Sequence, residues 1–275
     1  MSQPWSFDKD LTHEFEDKYK ITQKKIKING IELYQFFITD VEFETSDILF
    51  IKTPQGFYEP YLYNVRQKEN GEYIGSVITK GSCYYYWIIV VRELLSKIDQ
   101  TTKKKVDGAL YLLQYILSFK ILQNVLNDTG RTIQALATRQ FGKTEFTVAL
   151  DSFIMIFIPK FVKIDNAKYW VIISSYSTIS VGELFEKFKT KVKAVVDIFH
   201  REFPYDTLVT GAEAKKYPPH NNLKDTDEKV EYGLLMDGQV YPYSVCLAIP
   251  AGTVRDGEIE TPSINPSNCW ESLML

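Results

Sequence analysis

The sequence predicts an α/β fold: a mainly parallel sheet flanked by helices, preceded by an α+β N-terminal segment. Three observations carry this reading. Residues 132–137 (TIQALA) form a short apolar run suited to a buried strand. From Lys143 to Phe157 the apolar residues Phe146, Ala149, Leu150, Phe153, Ile154 and Phe157 recur at helical spacing. A second apolar run, 169–175 (YWVIISS), follows. Strand, loop, helix, strand makes one βαβ unit, whose two strands are expected to run parallel.

The remaining elements follow in chain order. Residues 1–30 read as a charged lead-in. Residues 31–80 read as strand-rich, in the runs 31–38, 47–52 and 73–78, with Asn70-Gly71 supplying a hairpin turn. Tyr84 to Ile98 reads as a buried helix or a strand-helix pair. The polar stretch Gln100 to Lys105 marks the expected domain boundary, dividing an accessory region, 1–105, from a second domain, 106–275. Val106 to Asn127 is amphipathic, with Leu110, Leu113, Ile116, Leu117, Ile121 and Val125 on one side, and Gly130 lies beyond its end. A further long helix is expected over 179–203 and a polar loop over 204–228. Two apolar runs around Asp237-Gly238 form a hairpin.

Composition narrows the class. The chain has 275 residues, 45% hydrophobic and 24% charged, enough for one large or two small domains. A net charge of −3 argues against coating nucleic acid by charge alone. The lysine groups 103–105 and 187, 189, 191, 193 are candidate basic patches, though a solvated face is the simpler reading. No apolar run reaches the roughly 18 residues that span a bilayer. The first residues are acidic and lack the apolar core of a signal peptide. Cys83, Cys246 and Cys269 are far apart and odd in number, which fits a reduced, cytoplasmic compartment. The histidines stand apart from the cysteines, so a zinc site is not expected. The run Tyr84-Tyr85-Tyr86-Trp87 is read as core before it is read as a base-stacking platform.

Between the first strand and its helix lies the segment that names a chemistry: Ala137-Thr138-Arg139-Gln140-Phe141-Gly142-Lys143-Thr144. It matches the end of the phosphate-binding loop G-x-x-x-x-G-K-[ST], with Ala137 in place of the first glycine. Gly142 would let the backbone approach a polyphosphate. Lys143 would set a cation on the β- and γ-phosphates, and the Thr144 hydroxyl would ligate Mg²⁺. The following helix would point its first amides at the anion. The fold implied is that of a P-loop NTPase.

Through Arg139-Gln140-Phe141-Gly142-Lys143-Thr144 the chain resembles the ATPase domain of large terminase subunits, the motors that package DNA into tailed-bacteriophage heads. That family carries a deviant loop of the form R-Q-x-G-K-[ST]. It also places a glutamine 16–19 residues before the loop arginine to read adenine; here Gln123 stands 16 residues before Arg139, with Gln114 a weaker choice. The resemblance is good over 118–200, fair over 228–257 and absent over 1–105. It implies that Thr138 through Thr144 contact ATP and Mg²⁺, that Arg139 acts in cis on charge at the γ-phosphate, that Gln140 braces the loop, and that Arg255 belongs to a lid. Double-stranded DNA, a portal protein, a small terminase subunit and a homo-oligomeric ring in the host-cell cytoplasm, without a membrane, are implied in the same way.

The sequence departs from the family in two respects. The motors need an Asp-Glu pair at the end of an apolar strand. Here Leu234-Leu235-Met236-Asp237 is followed by Gly238, which reads as a hairpin turn, and Glu228 and Glu231 do not replace the pair. The chain is also too short for the family's nuclease domain. The expectation is a piece of a packaging ATPase ending near the missing acidic strand. Two alternatives remain: a generic P-loop NTPase of helicase type, and a non-enzymatic interaction protein whose Gly142-Lys143-Thr144 is a chance surface turn.

Overall fold

The computed structural model describes residues 21–38, 47–54, 56–98, 100–127, 143–162, 169–175, 178–203, 223–236, 239–250, 254–255 and 258–259. The chain divides into two compact units, Met1–Arg131 and Thr132–Leu275.

In the first unit five strands follow one another as a meander: β1 (Ile21–Ile28), β2 (Ile31–Ile38), β3 (Leu49–Lys52), β4 (Tyr58–Gln67) and β5 (Tyr73–Val77). They pair antiparallel throughout, in the order β1-β2-β3-β4-β5. Residues 21–28, read from sequence as lead-in, are therefore a strand. Asn29 and Gly30, at φ 51° and 82°, make the two-residue turn that sends β1 into β2. Both central residues of that turn need positive φ, which Asn-Gly supplies at low cost. The expected Asn70-Gly71 turn is present between β4 and β5, with Gly71 at φ 82° and its amide donating to the Lys68 carbonyl. Ile26, Leu33, Leu49, Leu62 and Val65 pack as one cluster, with Tyr73 of β5 against it. The two outer strands thus share one core, and Lys24 Nζ of β1 donates to the Tyr73 hydroxyl of β5 at 2.8 Å.

Two helices complete this unit. Ser82 caps α1 (Cys83–Leu94), its hydroxyl accepting from the Tyr85 amide at 3.2 Å. The tyrosine-rich start is core, as expected: Trp87 is fully buried and donates to Ser118 Oγ at 2.8 Å on α2 (Leu112–Asn127). Tyr84 stacks on Phe119 of α2 at 4.6 Å between ring centroids. Arg92 of α1 reaches Glu59 of β4 through two bonds, 3.0 and 2.5 Å.

The polar stretch 100–105 is not the boundary between the units. Two short strands, β6 (Lys97–Ile98) and β7 (Lys105–Val106), pair across it and turn the chain back on α1. Gly108 then presses against α1: its amide donates to the Arg92 carbonyl at 2.9 Å, and a Cβ there would lie 2.5 Å from the Leu95 carbonyl carbon. Helix α2 consequently stands with the first unit.

The second unit holds α3 (Lys143–Phe161), β8 (Tyr169–Ser175), α4 (Thr178–Glu202), β9 (Leu223–Asp225), β10 (Lys229–Met236) and β11 (Gln239–Pro250), then the short pair β12 (Val254–Arg255) and β13 (Glu258–Ile259). Its sheet runs β8-β11-β10-β9. Helices α3 and α4 pack on each other and on β8 and β11. The shared core includes Phe153, Phe157, Phe185, Phe188 and Phe199, all essentially buried.

The expected mainly parallel sheet of a P-loop NTPase is overturned. The five-stranded sheet is wholly antiparallel. In the four-stranded sheet, β8 with β11 is the one parallel pair among the described residues, and β9-β10-β11 is antiparallel. The reason lies in the connections. Strand β9 reaches β10 across a three-residue turn and β10 reaches β11 across Asp237-Gly238, and links this short return the chain antiparallel. Of the predicted βαβ unit, strand 169–175 is β8, while 132–137 lies outside the described residues.

Candidate functional site

Helix α3 is described from Lys143, where the sequence places the end of the phosphate loop. Thr138, Arg139, Gln140, Phe141 and Gly142 lie outside the described residues. The residues that form the helix are the ones its periodicity picked out: Phe146, Ala149, Leu150, Phe153, Ile154 and Phe157 are all buried. So are Val148, Met155, Ile156 and Ile158, so the helix is enclosed on several sides. This fixes its first turn in place. Thr144 and Glu145 are exposed there, and the unpaired amides of a first turn favour anions. Glu145 pairs with Lys191 of α4 at 3.3 Å. A carboxylate and an ammonium therefore stand beside the turn that carries Lys143 and Thr144.

Two turns further in, Asp151 is buried at 5% exposure and has bonding partners. It faces Cys246 of β11 closely enough to act on the thiol, which burial first and Asp151 second push well above the ordinary cysteine range. Sequence reading missed Asp151 because a lone acid inside an apolar helix carries no motif. On the neighbouring strands the paired residues Tyr232 and Ser244 bury hydroxyls that have no hydrogen-bond partner among the described residues.

The basic run on α4 is engaged with its own unit. Lys189 pairs with Glu186 and lies over the Phe185 ring, Lys191 holds Glu145, and Lys193 holds Asp225 of β9 at 3.0 Å. In the other group, Lys105 pairs with Glu93 at 2.7 Å.

The two glutamines named as adenine readers both have local roles. Gln123 belongs to the first unit, where its amide donates to Asn64 Oδ1 at 3.1 Å. Gln114 is buried, and its Oε1 accepts from the Tyr111 amide at 3.0 Å, the reach-back of a helix N-terminal cap. Gln123 also lines a shallow cleft of about 10 Å³ with Asp47, Tyr63, Asn64, Tyr84 and Lys120. Asp47 and Lys120 form an ion pair at 2.5 Å, and the other Asp47 oxygen is buried with no hydrogen-bond partner among the described residues. Asn64, at φ 51°, sits at the irregularity where β4 and β5 shift register. The cleft has room for about one water and is far below the roughly 300–1,000 Å³ of ordinary small-molecule pockets.

Strands β10 and β11 pair antiparallel up to Met236 and Gln239, as the hairpin reading expects, while Asp237 and Gly238 lie outside the described residues. Arg255, assigned to a lid by the resemblance, is in β12. Among the described residues no cluster of three or more His, Cys, Asp or Glu is arranged to hold a metal ion. Among them also no helix is long and apolar enough to cross a membrane.

No protein-family model matches the chain, and no curated protein matches it.

Proposed function

We propose that Arg139 through Thr144, with the first turn of α3, bind the phosphate tail of ATP with Mg²⁺, and that the chain is part of a viral DNA-packaging motor similar to a large terminase subunit. One observation supports this above the others: a helix, described from Lys143 to Phe161, follows the loop segment, as the motif requires. The exposed Thr144 fits a metal-ligating hydroxyl. In this reading Lys143 holds the β- and γ-phosphates, Arg139 faces charge developing on the γ-phosphoryl oxygens, and Mg²⁺ when bound neutralises the phosphates. Double-stranded DNA, a portal protein, a small terminase subunit and a ring of copies are the partners this reading brings with it.

Hydrolysis by this chain alone would be slow. Gly238 follows Asp237 in the sequence, so no Asp-Glu pair stands there to position metal and water, and phosphoryl transfer depends on that positioning. The competing reading is an interaction protein in which Gly142-Lys143-Thr144 is a surface turn. It draws support from the largely antiparallel sheets and from Gln123 being held by Asn64.

Thermal unfolding of the full chain with and without Mg²⁺-ATP separates the two. A ligand at 100 times its Kd adds about 2.7 kcal/mol of stability. Protection that Lys143→Ala removes supports the nucleotide site. No shift at millimolar Mg²⁺-ATP assigns the segment to a surface turn.

A further inference from the structure

Between the outer strands β1 and β5 of the first unit's sheet runs a seam bridged by one side-chain bond, Lys24 to Tyr73. This observation is independent of the nucleotide reading. Among the described residues β1 pairs only with β2, and β5 only with β4. Which backbone groups face the seam follows from the ladders. The pair flanking the Asn29-Gly30 turn, Ile28 and Ile31, is hydrogen-bonded in a two-residue hairpin. Pairs alternate from there, so Gln23, Lys25 and Lys27 turn their N–H and C=O groups away from β2. On the other side the Lys68 amide donates to the Glu72 carbonyl, and the Ile78 amide donates to the Tyr61 carbonyl. The intervening pairs Gln67/Tyr73 and Leu62/Val77 are then the non-bonded ones, and Tyr73 and Val77 aim their backbone groups outward.

The seam is spanned at its side-chain tips by Lys24 Nζ and the Tyr73 hydroxyl, 2.8 Å apart. A single inserted strand needs a gap of about 10 Å, twice the spacing of neighbouring strands. The walls differ on the two faces. Ile26 and Tyr73 belong to the apolar cluster on the inner face, with Ile28 packed against it. On the outer face Lys25 and Lys27 are exposed. Lys25 pairs with Glu32 at 2.5 Å, a surface bond an incoming acid can replace. Val77, at 47% exposure, is one of the two large apolar residues left open among the described residues.

We infer that the β1–β5 seam binds an extended peptide segment whose side chains alternate apolar and acidic, inserting as a sixth strand. Its backbone bonds Gln23, Lys25 and Lys27 on one side and Tyr73 and Val77 on the other. Its apolar residues face inward, and its carboxylates meet Lys25 and Lys27. Strand addition of this kind takes affinity from main-chain bonds and specificity from the alternating side chains.

Fluorescence anisotropy on the full chain tests this with three fluorescein-labelled eight-residue probes: an alternating Val/Glu peptide, the same peptide with a central proline, and an alternating Val/Lys peptide. The Val/Glu probe is expected to bind saturably. The double variant Lys25→Glu, Lys27→Glu is expected to weaken it at least tenfold. Val77→Pro is expected to abolish binding with the unfolding midpoint unchanged, because that amide makes no bond to β4. Absence of saturable Val/Glu binding overturns the inference. Equal binding of the proline-interrupted probe also overturns it, since simple charge attraction would then suffice. A dimer in light scattering that Val77→Pro dissolves overturns it too, assigning the seam to a second copy of this chain.

Discussion

The Arg92–Glu59 pair ties α1 to the sheet, and its removal has a magnitude that follows from its geometry. Two bonds of 3.0 and 2.5 Å join the groups. The Glu59 side chain is 12% exposed and that of Arg92 is 40% exposed. A fully buried pair of charged bonds would contribute about 1.5–3 kcal/mol for each bond, whereas an exposed ion pair contributes about 0.2–1 kcal/mol. With one partner buried and the other partly in water, the coupling should fall near 2 kcal/mol. Losses should be unequal. Arg92→Met leaves a carboxylate buried without its cation and should cost about 3 kcal/mol, while Glu59→Gln keeps a hydrogen-bond acceptor and should cost less. Hydrogen–deuterium exchange with mass spectrometry on peptides from 83–94 reads the opening free energy of this unit, and both single variants with the double variant close the cycle. A coupling below about 0.5 kcal/mol would show that the pair is a surface contact and the argument from burial mistaken.

Four further outcomes are expected. Gly108→Ala forces a Cβ to within 2.5 Å of the Leu95 backbone; it should cost more than about 2 kcal/mol, read by the same exchange measurement, and a neutral result refutes the close approach. Phe157→Ala empties a fully buried site between Phe153 and Phe199 and should cost about 3–5 kcal/mol in chemical denaturation of the second unit. The Tyr34 phenol is pushed up to about 12, chiefly by its hydrogen bond to Glu32. Because the folded value lies above the unfolded one, this contribution to stability is complete below about pH 10 and disappears as pH rises through about 12; ultraviolet phenolate titration should lose one step near 12 in Tyr34→Phe. Burial pushes up both the Cys83 and the Cys246 thiols, so in Cys269→Ser neither should react with Ellman's reagent until the chain is unfolded.

Strong local signals in the sequence located their elements well. Apolar spacing placed α3 and the long helix α4, a continuous apolar run placed β8, and Asx-Gly dipeptides placed the turn at 70–71 and the antiparallel pairing of β10 with β11. Where the reading failed, a local signal was extended too far or set aside. Asn29-Gly30 is as strong a hairpin signal as Asn70-Gly71, but Lys24, Lys25 and Lys27 made the strand before it look like a solvated lead-in. Their alternation with Ile26 and Ile28 was the available clue. The polar stretch 100–105 resembled a linker because sequence does not show that β6 and β7 pair across it. The parallel sheet was extrapolated from a single βαβ pattern, while the short β9–β10 and β10–β11 links already required antiparallel neighbours. At the candidate site the helix after the loop was legible from the spacing of Phe146, Leu150, Phe153 and Phe157. The engagement of Gln123 with Asn64, 59 positions earlier in the chain, was not.

The pairing of β8 with β11 also sets an order of events during synthesis. Every strand of the first sheet bonds to its immediate successor, so that sheet can close soon after Val77 leaves the ribosome. Strand β8 ends at Ser175, but its partner β11 runs from Gln239 to Pro250. Until that stretch is translated, β8 emerges without the neighbour it has in the finished sheet, and contacts so distant in sequence form slowly. The growing chain therefore carries a finished leading half and an unsatisfied trailing one, the interval in which a nascent polypeptide is most exposed to mispairing.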